Sequence, residues 1–110
     1  MRMPDGFFKP MEPIPYPEPF DNEDYIYQVK WDGVRILAFI NQNEVQLLNK
    51  HNHVRTVQYP ELSVLSQQIK GQRAILDGEV VVLKNGKPSF PSVMRRDLSA
   101  NSPTIKYMQK

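Results

Sequence analysis

The chain changes period four times, and each change predicts an element. From Tyr25 apolar and polar positions alternate: Tyr25, Tyr27 and Val29 share one face, and Ile26, Gln28 and Lys30 the other, which predicts a strand. Asp32-Gly33 is a turn signal. Val34 to Ile40 is then almost continuously apolar and predicts a second, more buried strand. Gln42-Asn43 predicts a turn, Glu44 to Leu48 a further strand, and His51-Asn52 another turn, because Asn tolerates positive φ. These segments read as an antiparallel meander.

At Tyr59 the spacing lengthens. Leu62, Leu65 and Ile69 recur at helical intervals, Pro60 suits a first helical position, and Gly71 suits the residue after the end. A helix over about Pro60–Lys70 is predicted. Ala74 to Asp77 and Glu79 to Leu83 return to strand character with Gly78 as an interruption, and Asn85-Gly86 is a hairpin signal. Ser89 to Leu98 predicts a short helix with Ser89 as N-cap. The sum is an α+β fold, a mainly antiparallel sheet with two short helices.

Before Tyr25 no period is visible. Six of the ten prolines lie in residues 1–20: Pro4, Pro10, Pro13, Pro15, Pro17 and Pro19. Such density forbids helix interiors and central strands. It predicts an extended, partly polyproline II arm, with Met11, Ile14, Tyr16 and Phe20 as the residues to pin it down. The expected organisation is an arm over 1–20, a domain over 21–98 and a polar tail over 99–110. At 110 residues there is room for one small domain.

Composition narrows the function classes. There is no cysteine, which excludes disulfides and thiolate metal sites and suits a reducing compartment. The net charge of +2 permits a nucleic-acid partner without demanding one. No apolar run approaches a membrane span and no apolar leader is visible, so a cytoplasmic location is expected.

Two constellations carry candidate chemistry. The first is Lys30-x-Asp32-Gly33-x-Arg35. A lysine becomes a nucleophile when its ammonium gives up a proton, which desolvation or nearby positive charge favours. Asp32 can orient it, Gly33 allows a tight turn and close approach of a ligand, and Arg35 offers a planar fork for phosphate or ribose oxygens. The second is Asp77-Gly78-Glu79, where period two puts both acids on one face. Such a pair calls for cations, hydroxyls or a metal, and oxygen-only ligation suits Mg2+ that keeps most of its waters. Solvated turns account for either constellation taken alone. His51 and His53 have no third ligand nearby in sequence. Arg95-Arg96 suit phosphate contact or an exposed helix end equally. Trp31 suits packing against the turn or shielding a ligand.

Together, "KWDGVR" and the downstream "LDGEVVVL" resemble the ATP-dependent DNA ligases, within the covalent nucleotidyltransferases. "PSFPSVMRR" resembles the F-x-x-x-x-R-R stretch that follows D-G-E in the bacterial repair-type members. The resemblance covers roughly Met11 to Leu98. It implies part of an ATP-grasp-like nucleotidyltransferase domain, with ATP and Mg2+ as cofactors and nicked double-stranded DNA as partner. By resemblance Lys30 would form a lysyl-AMP, and AMP would pass to a 5′-phosphate for strand sealing in DNA repair or recombination. Arg35 would contact the AMP ribose and the nick, Glu79 the ribose or the metal, with Asp77 and Asp32 in support and Gln28 and Val29 beside the adenine.

The family's S/T-R-x-G segment is matched here by "NKHN", Asn49 to Asn52. Lys50 keeps the charge expected to touch DNA phosphate but not the fork. The family's further aromatic, E-G and K-x-K motifs have no counterpart after Glu79. They would come from a longer chain or a second one. A fragment that binds ATP or DNA without catalysis, and an RNA ligase or capping-type fragment, are the alternatives; the D-G-E and "SFPSVMRR" context favours DNA ligase.

Overall fold

The computed structural model describes residues 9–71 and 73–99. A three-stranded antiparallel sheet has the order β2-β1-β3, with β1 at Val34–Asn41, β2 at Glu44–Asn49 and β3 at Arg73–Val80. β1 is central because its sequence is apolar on both faces: Ile36, Leu37, Ala38, Phe39 and Ile40 are all buried. One face, with Ile36, Ala38 and Leu47, packs on Tyr59 and Val93. The other carries Leu37, Phe39 and Leu48. Each large apolar side chain removed from water in this way contributes about 1.5–3 kcal/mol.

The helical segment after Tyr59 has two parts, a 3₁₀ stretch at Pro60–Val64 that runs into a single α-turn, α1, at Leu65–Gln68. After β3 comes a tight hairpin of β4 (Leu83–Lys84) and β5 (Lys87–Pro88). Asn85 at φ 54° and Gly86 at φ 77° supply the two positive angles that such a two-residue turn demands. The last element, α2, spans Phe90–Asp97, and the Ser89 hydroxyl accepts from the Ser92 N–H at 3.4 Å. The predicted α+β class, antiparallel sheet and helices are thus present, with turns at Gln42-Asn43, at His51 and at Asn85-Gly86. The tail from residue 100 lies outside the described residues.

Three expectations require correction. Tyr25 to Lys30 is not a strand, because both edges of β1 are occupied by β2 and β3; the segment runs beside the sheet unpaired, and Asp32-Gly33 turns no hairpin. Gly78 does not interrupt its strand: β3 passes through it in register with Ile36, and the break comes after Val80. Nor do most of the arm's apolar residues pin it down, since Met11, Ile14 and Tyr16 remain largely exposed. Phe20 does gather neighbours, edge to face with Tyr16, Tyr25 and Tyr27.

β2 has its outer edge covered by the return of the chain, where Leu48 bridges Val54 and the Arg55 N–H donates to the Leu47 carbonyl. The outer edge of β3 meets no strand among the described residues. Beside it an apolar hollow of about 360 Å³ lies between Leu62, Leu65 and Leu76.

Candidate active site

Sheet register brings the two constellations together. Arg35 is paired with Glu79 and Leu37 with Asp77, so Arg35, Asp77 and Glu79 all project from the same face. From its position diagonal to Asp77, Arg35 closes a bidentate fork: Nε donates to Oδ1 at 2.9 Å and Nη2 to Oδ2 at 2.6 Å. The third group, Nη1, donates to the Met11 carbonyl. The guanidinium is therefore held from both sides at one end of the sheet.

The electrostatics follow from that fork. Hydrogen bonding from Arg35 holds the Asp77 carboxyl below the usual carboxylate range, with partial burial opposing and the Arg35 charge adding. Arg35 is held above its ordinary value chiefly by the hydrogen bond to Asp77, against partial burial, with the charges of Asp77, Glu12 and Glu79 adding.

Lys30 reaches the same place by another route. Gly33 lies against the end of β3 so closely that a Cβ there would come within 2.1 Å of the Val80 carbonyl oxygen. Its φ is not positive, so glycine is required for contact and not for conformation. What approaches Gly33 is the chain's own β3, where the sequence suggested a ligand. This contact seats the loop 28–32 beside Glu79. Lys30, Gln28, Val29, Trp31, Arg35 and Glu79 line one groove of about 510 Å³, with Asp77, Gly78 and Pro13 completing it. Trp31 is half exposed on its wall. Asp32 is exposed beside the loop and does not line the groove.

Lys50 stands one residue past Asn49, which faces Ile36, and so is level with Arg35 on the opposite side from Glu79. Its turn is built by the Asn49 side chain, whose Oδ1 accepts the N–H groups of His51 and His53 at 2.9 Å each. Asn52 adopts φ 63° there. The two imidazoles are 6.2 Å apart, and no group of three His, Asp or Glu is gathered for a metal among the described residues. A magnesium ion held mainly by water and phosphate needs only one or two carboxylates. Glu79 fits that use, while both Asp77 oxygens are engaged by Arg35.

The two arginines of α2 divide. Arg95 is exposed. Arg96 is buried: Nε donates to the Gln58 carbonyl at 3.0 Å, Nη2 pairs with Glu61, and the guanidinium lies over the Tyr59 ring. Beside it the Asp97 carboxylate accepts from the Tyr59 hydroxyl at 2.7 Å and from Arg55 Nε at 3.2 Å. Arg96 therefore holds α2 to the core and offers nothing to phosphate. Sequence reasoning also missed Met11, Glu12 and Pro13 as groove neighbours; the arm's proline spacing was a signal for extension but not for where it lies.

Comparison with known proteins gives one family. Residues 13–109 match the model of the ATP dependent DNA ligase domain. The chain is 37% identical over 97 residues to the SPbeta prophage-derived DNA ligase-like protein LigB of Bacillus subtilis, covering 87% of this chain and 35% of that protein. Over 73 residues it is 34% identical to the multifunctional non-homologous end joining DNA repair protein LigD of Mycobacterium tuberculosis, covering 66% of this chain and 10% of that one. In structure it is similar to the M. tuberculosis LigD ligase domain, with 33% identity and a TM-score of 0.56 over 62% of this chain and 23% of that one. A mycobacterial DNA ligase D complexed with ATP and MES gives 34% and 0.57, over 63% and 23%. The chain thus spans about a third or less of the relatives it matches. No helix among the described residues is long and apolar enough to cross a membrane.

Proposed function

The chain belongs to the ATP-dependent DNA ligase family, and from that membership we propose that it carries the nucleophile-bearing part of an adenylating, nick-sealing centre. The observation that carries the reading is the single groove shared by Lys30, Arg35 and Glu79. With its ammonium deprotonated, Lys30 Nζ attacks the α-phosphorus of ATP. The N–P bond forms as the P–O bond to pyrophosphate breaks, and pyrophosphate leaves. AMP then passes to the 5′-phosphate at a nick.

The other residues orient and screen. Arg35 serves the nucleotide ribose and the nick, and Asp77 keeps its guanidinium in place by the bidentate fork. Asp32, exposed beside the loop, supports the approach of Lys30. Gln28 and Val29 border the adenine, and Trp31 narrows the water's access from its wall of the groove. Lys50, on the adjacent turn, takes a DNA phosphate. Glu79 is the residue that would hold Mg2+, whose contribution is to neutralise charge on the phosphates. A chain without cysteine suits the cytoplasm.

The remaining phosphate-binding groups come from further protein, in the same chain or a second one. The outer edge of β3, which meets no strand among the described residues, and the apolar hollow beside it support this.

The test is incubation with ATP labelled at the α-phosphate and Mg2+, followed by denaturing electrophoresis. The expected result is a labelled chain that Lys30→Ala abolishes. Label that persists in Lys30→Ala, or none at high protein concentration, overturns the assignment for this chain.

A further inference from the structure

We infer that Glu12 is an internal competitor for DNA phosphate, a carboxylate that the arm lays on the cations Lys50 and Arg35. The inference rests on the reading of those two residues as the DNA-contacting pair. Three consecutive arm residues carry it. The Met11 carbonyl accepts from Arg35 Nη1. Glu12 Oε1 lies 3.9 Å from Lys50 Nζ. Pro13 lines the groove beside Lys30 and Glu79.

The geometry explains why Glu12 falls there. Lys50 and Arg35 stand level at the same end of β2 and β1, so an anion near one feels both. The charge of Glu12 is indeed among those acting on Arg35. Prolines at 10 and 13 fix φ on either side of Met11-Glu12, and the first of them is buried. The segment between them is therefore presented with few alternatives. A phosphodiester carries one negative charge and is drawn to the same two cations, so Glu12 opposes its arrival there.

The contact is built to yield. Lys50 and Glu12 are each about half exposed at 3.9 Å, the regime in which an ion pair is weak and screened by salt. Glu12 thus lowers DNA affinity modestly.

The experiment measures binding of a nicked duplex by fluorescence anisotropy across salt, for the unaltered chain, Glu12→Gln, Lys50→Ala and the double variant. Glu18→Gln, another exposed arm acid, controls for net charge. Glu12→Gln is expected to tighten binding about 3-fold at low salt and to steepen the salt dependence by about one ion. Glu18→Gln is expected to do less, and the gain is expected to vanish when Lys50 is also removed. Binding that depends on Lys50 but is unmoved by Glu12→Gln, or moved equally by Glu18→Gln, overturns the competitor role and leaves the DNA reading standing. If no variant binds the nicked duplex at low salt, the DNA reading fails and the competitor role with it.

Discussion

Arg35 grips Asp77 across a diagonal of the sheet, with both carboxylate oxygens engaged, while Glu79 sits directly opposite Arg35. The two acids of Asp77-Gly78-Glu79 therefore have different tasks although they share a face. Asp77 is committed to holding a cation, and Glu79 is left to face the groove.

Asp77→Asn tests that division. The pair is substantially exposed, 23% for Arg35 and 45% for Asp77, so its removal is expected to cost under about 1 kcal/mol. The sign with pH is fixed by the lowered Asp77 value. Its contribution is full above the ordinary value of about 3.9 and is lost as pH falls through the depressed value of the folded chain. Thermal melts of the two proteins are expected to differ by a few degrees at neutral pH and to converge in acid. A constant difference down to the lowest measurable pH would contradict this assignment.

Gly33 and Gly78 make a second, paired test. Both belong to signature motifs, but only one is crowded. Gly33→Ala drives a Cβ to 2.1 Å from the Val80 oxygen and 2.8 Å from a Val81 methyl, and the backbone oxygen cannot swing away. The expected loss is about 1–3 kcal/mol, together with displacement of Lys30 and loss of any adenylation. Gly78 has nothing within 4 Å of an added Cβ, so Gly78→Ala is expected to stay within about 0.5 kcal/mol. Denaturant unfolding of the two variants gives the comparison directly; equal costs would sink the packing argument.

The double arginine of α2 supplies a third. Arg96→Ala removes a buried cation from the Gln58 carbonyl and Glu61, at an expected cost of about 2–3 kcal/mol. Arg95→Ala is expected to change stability by less than about 0.5 kcal/mol. If the costs were reversed in denaturant titrations, Arg96 would not be the anchor of α2.

Much of this arrangement is legible in the amino-acid sequence. The continuous apolar run Val34 to Ile40 marks the central strand, Asn85-Gly86 the hairpin, and Ser89 the start of α2, because each signal is local. The constellations around Lys30 and Asp77 are legible as motifs, and the register of β1 on β3 brings them to one groove. What is not legible depends on competition between distant segments. Tyr25 to Lys30 has a strand's alternation but does not pair with β1, because β3, much later in the chain, takes the place beside it. Arg95 and Arg96 look alike in sequence, and only the placement of Gln58 and Glu61 separates them. Glu12 gives no sign of its position, because proline spacing sets an extended path and not its direction.

Tyr59 gives the last prediction, with the opposite sign to Asp77. Its ring is among the most buried groups of the chain, and its hydroxyl donates to Asp97 at 2.7 Å. Burial raises the phenol above its ordinary value, the hydrogen bond to Asp97 and that residue's charge add to the effect, and Arg96 and Arg55 oppose it. The folded value exceeds the unfolded one, so this stabilisation is full below the ordinary phenol value of about 10 and is lost as pH rises from there. Tyr59→Phe is expected to cost about 1–2 kcal/mol at neutral pH, since Asp97 loses a donor. It also removes the titration, so the variant's stability is expected to fall less steeply between about pH 10 and pH 12, the difference in slope approaching one proton, or about 1.4 kcal/mol per pH unit. The remaining tyrosines titrate in both proteins and cancel in the comparison. Urea unfolding midpoints measured at half-unit intervals from pH 8 upward decide the matter: parallel curves would mean that the Tyr59 hydroxyl is not held neutral by the fold.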